Sequence, residues 1–320
     1  MKKIGILTSG GDCQSLNATM RGVAKSLYKM FDDIEIVGFE DGYKGLMYAD
    51  YRIMKQSDFS GILTRGGTIL GTSRQPFKLM RMPDENGLDK VEAMKHTYYK
   101  LKLECLVILG GNGSQKTANL LREEGLNIVS LPKTIDNDLW GSDLTFGFHS
   151  AVDVATNAID CIHTTAASHG RVFIVEIMGH KVGWLALYAG IEGAISMENA
   201  ALTNKELKEK KKNGPFYPSV AYELGAQISE RTGQEIRVTV PGHMQRGGEP
   251  CPYDRVIATR LGAEAAEMIR RKEYGYMVAL NNNKIEKIPL ADIAGKLKMV
   301  DPKSDIIREA KDVGISFGDE

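Results

Sequence analysis

Residues 105–138, CLVILGGNGSQKTANLLREEGLNIVSLPKTIDND, leave the chain few ways to fold. Residues 105–109 form a short apolar run with Val and Ile, the composition of a parallel strand buried on both faces. Gly110, Gly111 and Gly113 allow a sharp turn that brings backbone N–H groups close to an anion. Ser114 reads as an N-cap, and residues 115–124 as a helix whose positive end points back at that turn. Gly125 ends the helix, residues 127–131 re-enter the sheet, and Pro132 closes that strand. The loop KTIDND at 133–138 then falls just past a strand's C-terminal end, where open α/β sheets bind ligands. An anion cradle beside a carboxylate loop points to phosphoryl transfer.

Each of these signals is weak alone. A Gly-Gly-x-Gly turn often does no more than join a strand to a helix, and Asp-Asn-Asp is more often a solvated turn than an active site. A second glycine turn, TSGGD at 8–12, raises the pair well above either. Composition narrows the class further. Lys plus Arg and Asp plus Glu both number 41, so no charge excess argues for nucleic acid or a membrane surface, and any phosphate-binding charge must be local. At 42% hydrophobic and 26% charged, 320 residues suit one large or two moderate soluble domains. No apolar run has the length of a membrane span, and Met1-Lys2-Lys3 leads into a strand rather than a signal peptide. Cys13, Cys105, Cys161 and Cys251 lie far apart without zinc spacing, as in a reduced, cytoplasmic enzyme. Neither a Walker A motif nor HExxH is present.

Taken in order, residues 3–7 read as a strand, 16–30 as a helix and 34–38 as a second strand before the turn DGYKG at 41–45. SGILTRGGTILGTSR at 60–74 offers close backbone approach and a planar cation, Arg74. A helix is expected over 90–101 and another over 150–164, with Val152, Ala155, Ile159 and Ile162 on one face. A strand at 172–177 ends at Met178-Gly179-His180, and a helix over 181–191 follows. KELKEKKK at 205–212 is a solvated face. An amphipathic helix over 220–230 is capped near Gly233, and a strand at 235–240 leads to PGHMQRGG, clustering Arg237, His243 and Arg246. A long helix over 253–271, with Val256, Leu261, Ala265 and Met268 as core candidates, precedes a hairpin around Asn281-Asn282-Asn283.

TSGGD, GGTILGTSR, GGNGS, PKTIDND, MGH and GHMQRGG stand in the order and spacing of the 6-phosphofructokinase family, which this chain resembles over nearly its whole length. The C-terminal KLKMVDPKSDIIREAKDVGISFGD is similar to the branch that holds both ATP-using and pyrophosphate-using members. The resemblance implies an α/β fold: two doubly wound domains with mainly parallel sheets, helices on both faces and the active site in the interdomain cleft. It implies a donor domain of 1–143 plus 243–295 and a sugar-phosphate domain of 144–242 plus 296–320.

The resemblance also implies roles. Asp136 is the general base towards the 1-hydroxyl of fructose 6-phosphate, with Thr134 beside it, and Arg74 bridges donor and acceptor phosphates. Gly11, Tyr43, Gln75, Gly111, Asn112, Gly113, Ser114 and Lys133 take the donor, ATP. Mg²⁺ is assigned to Asn112 and Asp138. The sugar phosphate falls to Thr134, Ile135, Asp136, Met178, Gly179, His180, Glu192, His243 and Arg246, joined by Arg171 and Arg237 lent across a subunit interface. That arrangement implies a homo-oligomer, a tetramer, whose partners are fructose 6-phosphate and itself, with neither nucleic acid nor membrane.

Four departures from the family pattern matter. Asn112 stands where most members carry a magnesium-binding Asp, and His180 where many carry Arg. Gly113 is the residue of ATP users, whereas Lys133 is typical of pyrophosphate users. Finally, Ile191 runs directly into Glu192-Gly193-Ala194-Ile195, with no room for the strand and crossover helix that members place there. Either the chain lacks that unit or the sequence omits a segment. Two rivals to an ATP-dependent kinase follow: a pyrophosphate-dependent enzyme, and a catalytically silent binding subunit.

Overall fold

A computed structural model describes residues 1–192 and 219–319. The described strands are β1 Lys2–Ser9, β2 Ile34–Phe39, β3 Tyr51–Met54, β4 Cys105–Gly110, β5 Ile128–Pro132, β6 Val172–Val175, β7 Ile236–Thr239, β8 Tyr276–Asn281 and β9 Lys284–Pro289. The described α-helices of six residues or more are, in chain order, α1 Leu16–Met30, α2 Tyr43–Tyr48, α3 Lys90–Lys100, α4 Asn112–Glu123, α5 Phe148–His169, α6 Trp184–Glu192, α7 Val220–Thr232, α8 Pro252–Arg270 and α9 Asp305–Asp312. The chain divides into two compact units, neither continuous: Met1–Ala151 with His180–Val182 and Arg246–Met299, and Val152–Gly179 with Gly183–Gln245 and Val300–Glu320.

The first unit holds a seven-stranded sheet in the order β3-β2-β1-β4-β5-β8-β9, the α/β architecture expected. Strands β2, β1, β4, β5 and β8 are mutually parallel; β3 and β9 pair antiparallel at the two edges. All six residues of β4 are buried, which explains its unbroken apolar run. The β8–β9 hairpin turns through Asn282 and Asn283, both at positive φ (47° and 60°), a conformation Asn tolerates better than most residues. Helices α1 and α8 cross backbone to backbone. A Cβ on Gly262 would lie 2.5 Å from the Thr19 carbonyl oxygen, and one on Gly22 would lie 3.0 Å from that of Thr259.

The second unit shows, among the described residues, a parallel pair, β6 with β7, in the register Phe173 opposite Arg237. Its core gathers Ala155, Ile159 and Ala189 under Val175 and Ile177, and separately Leu187 with Ile307, Ala310, Ile315 and Phe317. Among the described residues no helix is long and apolar enough to cross a membrane.

Several boundaries move. Helix α4 starts at Asn112, with Gly111 at its N-cap and no side-chain cap, so Ser114 is not the cap; its hydroxyl bonds Ser9 Oγ at 2.9 Å instead. Helix α5 extends to His169, five residues beyond the expected stop at 164, because 165–169 contain neither Pro nor Gly. Of the core candidates on α8, Leu261, Ala265 and Met268 are buried, whereas Val256 is 56% exposed and its neighbour Ile257 takes the buried place. The turn at 41–45 becomes α2, and the short edge strand β3 is unforeseen. The 205–212 run and the residues that follow Glu192 lie outside the described residues.

Candidate active site

From β1 the chain passes to β2 on one side, and from β4 to β5 on the other. The gap between the C-terminal ends of β1 and β4 is thus a topological switch point, where open α/β sheets take ligands. Ser9 and Gly110 are register partners there, so the turns TSGGD and GGNGS leave the sheet side by side. A pocket of about 420 Å³ opens at this edge. Both turns line it, together with the stretch after β5, Arg74 to Phe77, Asp138, His180 and Arg246.

Hydrogen bonds stitch the arginine loop to the first turn. Thr8 Oγ1 donates to the Gly71 carbonyl at 2.6 Å, Thr72 Oγ1 to that of Gly10 at 2.7 Å, and the Gly10 N–H to that of Ser73 at 3.1 Å. Farther back, Asn17 of α1 donates to the Arg65 carbonyl at 2.9 Å and accepts the Ile69 N–H at 2.8 Å. Arg74, exposed, is thereby delivered to the pocket wall. Lys133 is buried, and its ammonium donates to the Gly11 carbonyl; burial holds its pKa below the ordinary lysine range. The guanidinium of Arg246 packs on Gly11 so closely that a Cβ there would sit 2.5 Å from Nη1. Two cations thus flank the glycine turns, while the first turn of α4 presents its free N–H groups to the same space. Gly113 faces open space: an added Cβ would meet nothing within 4 Å.

Two carboxylates line the same pocket. Asp136 is partly buried, its N–H donates to Thr134 Oγ1 at 3.0 Å, and burial raises its pKa above the ordinary carboxylate range. Neighbouring Asp138 adds to that rise; His180, Arg246 and Lys133 oppose it. Asp138 is 4% exposed, with Oδ2 3.3 Å from His180 Nδ1 and a buried Oδ1 that has no hydrogen-bond partner. An orphaned carboxylate oxygen beside a phosphate cradle fits Mg²⁺, which commonly takes one or two carboxylates and completes its shell with substrate phosphates and water. Asn112, in the pocket lining, donates its amide to the Lys296 carbonyl at 2.6 Å.

The pocket brings together Gly11, Arg74, Gln75, Gly111, Asn112, Gly113, Ser114, Lys133, Thr134, Ile135, Asp136, Asp138, His180 and Arg246. Tyr43 does not join them. It is 1% exposed and donates its hydroxyl to the Ser114 carbonyl at 2.8 Å, so it supports α4 from behind. In the second unit Glu235 binds both Arg171 (Nε, 2.9 Å) and Arg237. Met178 donates its N–H to the buried Gln245 at 3.2 Å, which orders the Met178-Gly179 turn; His243 is exposed, and Glu192 accepts from Thr156 at 3.4 Å. Sequence reasoning missed Ser9, Gly10, Asp12, Pro76 and Phe77 in the pocket lining. Their signal was adjacency to motif residues already singled out.

The profile of the phosphofructokinase family matches residues 3–269. A protein of Spirochaeta thermophila named ATP-dependent 6-phosphofructokinase is 49% identical over 99% of this chain and 98% of its own length. One of Bacteroides thetaiotaomicron, named ATP-dependent 6-phosphofructokinase 3, is 43% identical over 99% of this chain and all of its own. The alignment with the Spirochaeta protein spans 364 positions against the 320 residues here. Among solved structures, phosphofructokinase of Saccharomyces cerevisiae superposes with a TM-score of 0.76 at 28% identity, covering 91% of this chain and 45% of that one. A pyrophosphate-dependent phosphofructokinase of Marinobacter aquaeolei reaches 0.77 at 20% identity, covering 99% of this chain and 93% of its own, and shares the fold.

Proposed function

This chain belongs to the phosphofructokinase family, and from that membership we propose that it is an ATP-dependent 6-phosphofructokinase, moving the terminal phosphoryl group of ATP to the 1-hydroxyl of fructose 6-phosphate. The observation that carries this reading is the pocket itself. Two glycine turns and a helix N-terminus share one cavity with a pair of carboxylates, and Lys133, Arg74 and Arg246 line it too. In phosphoryl transfer the protein has little covalent work to do, so placement and charge stabilisation dominate. The amides of Gly11 and of 111–113 hold the moving phosphate, and Arg74 spreads its charge. Asp136 orients the acceptor hydroxyl and takes its proton; a carboxylate held above the usual range is a better base near neutrality than an ordinary one. Asp138 and Asn112 are the residues that would hold Mg²⁺, which when bound would neutralise charge on the donor phosphates. The open space at Gly113 is what favours a nucleotide over bare pyrophosphate, since that is where the rest of the donor must pass.

We assign the sugar phosphate to His243 and Arg246, the sugar to Met178, Gly179, His180 and Glu192, and the second pair of cations to Arg171 and Arg237 of another copy of the chain. An oligomer is then required for turnover. The four separated cysteines suit the reducing cytoplasm. The test is a turnover assay with fructose 6-phosphate and Mg²⁺, comparing ATP, pyrophosphate and no donor. ATP-driven formation of fructose 1,6-bisphosphate is the expected result. A rate with pyrophosphate above that with ATP overturns the donor assignment, and no turnover with either supports a silent binding subunit.

A further inference from the structure

The run Asp136-Asn137-Asp138 sends its first and third side chains to the pocket and its second away from it. Asn137 is 2% exposed and sits at φ 51°, a left-handed conformation that Asn tolerates better than most residues. Its amide donates to the Asp143 carbonyl at 3.1 Å, and its oxygen lies 3.4 Å from Thr145 Oγ1. Thr145, fully buried, donates that hydroxyl to the Thr134 carbonyl at 2.8 Å. The base loop therefore hangs by side chains from residues 143–145.

That support is itself anchored. The Asp143 N–H donates to the Leu280 carbonyl at 2.9 Å and to Asn281 Oδ1 at 3.0 Å, at the end of β8. Lys298 donates its ammonium to the carbonyls of Ser142 (2.7 Å) and Asp143 (2.6 Å), and its N–H to that of Asp138 at 3.0 Å. The Phe146 N–H closes the far side on the Pro132 carbonyl at 3.3 Å. Residues 142–146 are thus tied to the sheet at both ends, and Thr145 is the one that reaches Thr134. Thr134 Oγ1 in turn accepts the Asp136 N–H, so the orientation of residue 134 sets that of the carboxylate.

We propose that Thr145, with Asn137, is a positioning residue that aims the Asp136 carboxylate by pinning the Thr134 carbonyl to a sheet-anchored platform. The proposal rests on the reading of Asp136 as the base. A buried carbonyl that loses its donor turns to find another, and residue 136 turns with it. Thr145→Val keeps the shape and deletes the hydroxyl; Thr145→Ser keeps the hydroxyl and deletes the methyl.

The experiment compares wild type, Thr145→Val, Thr145→Ser, Asp136→Asn and the Thr145→Val/Asp136→Asn double variant, each as the purified full chain with its folded fraction measured by circular dichroism. Thr145→Val should lose about ten- to a hundredfold in kcat, the scale of a misplaced catalytic group, with KM values little changed. Thr145→Ser should restore most of the rate. Because Thr145 acts through Asp136, its loss should cost nothing further once residue 136 is Asn, which a general loss of structure would not show. Full activity in Thr145→Val, or losses that multiply in the double variant, overturns the proposal. If Asp136→Asn itself turns over normally, the assignment of the base falls instead, and the two failures are told apart.

Discussion

Gly113→Asp is the substitution that probes donor choice most directly. Gly113 is the second residue of α4, and a Cβ there meets nothing within 4 Å, so Asp enters without steric conflict. An acidic residue in a helix's first turn is itself favourable by about 0.3–1 kcal/mol, so the variant should fold at least as well as wild type. The cost falls on the donor. Two like charges about 4 Å apart repel by roughly 4 kcal/mol at an effective dielectric of about 20, and less where water intervenes. Because position 113 is exposed, a penalty of about 1.5–3 kcal/mol is reasonable, or roughly ten- to a hundredfold in affinity for ATP. Steady-state KM for ATP, with fructose 6-phosphate saturating, measures it, and Gly113→Ala controls for bulk alone. Should folded Gly113→Asp bind ATP as wild type does, or Gly113→Ala be equally impaired, the charge argument is wrong.

Asp136→Asn should lower kcat by about 10²–10⁴-fold, as loss of a general base does. It should also stabilise the fold at neutral pH. The Asp136 carboxyl holds its proton more tightly folded than unfolded, so its ionisation costs stability as pH rises from the ordinary carboxylate range to the raised value. The variant's advantage in melting temperature should therefore be present at pH 7–8 and fade as the pH falls through that range. Mixing inactive Asp136→Ala with inactive Arg237→Ala protein should recover activity once subunits exchange; none after proven exchange argues against shared sites. Asn112→Asp loses the donor to the Lys296 carbonyl, so melting should fall by about 2 °C, the scale of one hydrogen bond, as it should for Asn112→Ala. Only the Asp variant should lower the Mg²⁺ concentration for half-maximal rate, since it alone adds a charged oxygen.

What could be read from the sequence was whatever local chemistry repeats along it. The apolar run of β4, the glycines of its turn and the Asn-Asn hairpin carry their geometry in residue type, and they stand where expected. So does Gly233, which ends α7 at φ 69°. Failures came where a distant partner decides. Ser114 has the composition of a cap, but Ser9 on another strand claims its hydroxyl. Tyr43 sits in a motif associated with the nucleotide, yet the Ser114 carbonyl draws it into the core. Thr145 carried no signal, because nothing local reveals that its hydroxyl will meet a carbonyl eleven residues back. Val256 was misplaced because it and Ile257 are adjacent and both apolar, and residue type alone does not say which of the two the helix buries.

The strand order carries a consequence for how the protein is made. β5 is flanked in the sheet by β4 and β8, but β8 lies at residues 276–281, far down the chain. On the ribosome, β5 emerges early and its outer edge has no partner until almost the whole chain has been synthesised. At about 5–20 residues per second that interval is on the order of ten seconds, long compared with local strand pairing. Throughout it, an apolar parallel strand offers unsatisfied N–H and C=O groups to any other nascent chain. The Gly22–Gly262 crossing imposes the same wait on the buried face of α1. A nascent chain of this topology is thus a natural client for a chaperone that shields edges, and slow codons placed between β5 and β8 would lengthen its exposure rather than help it fold.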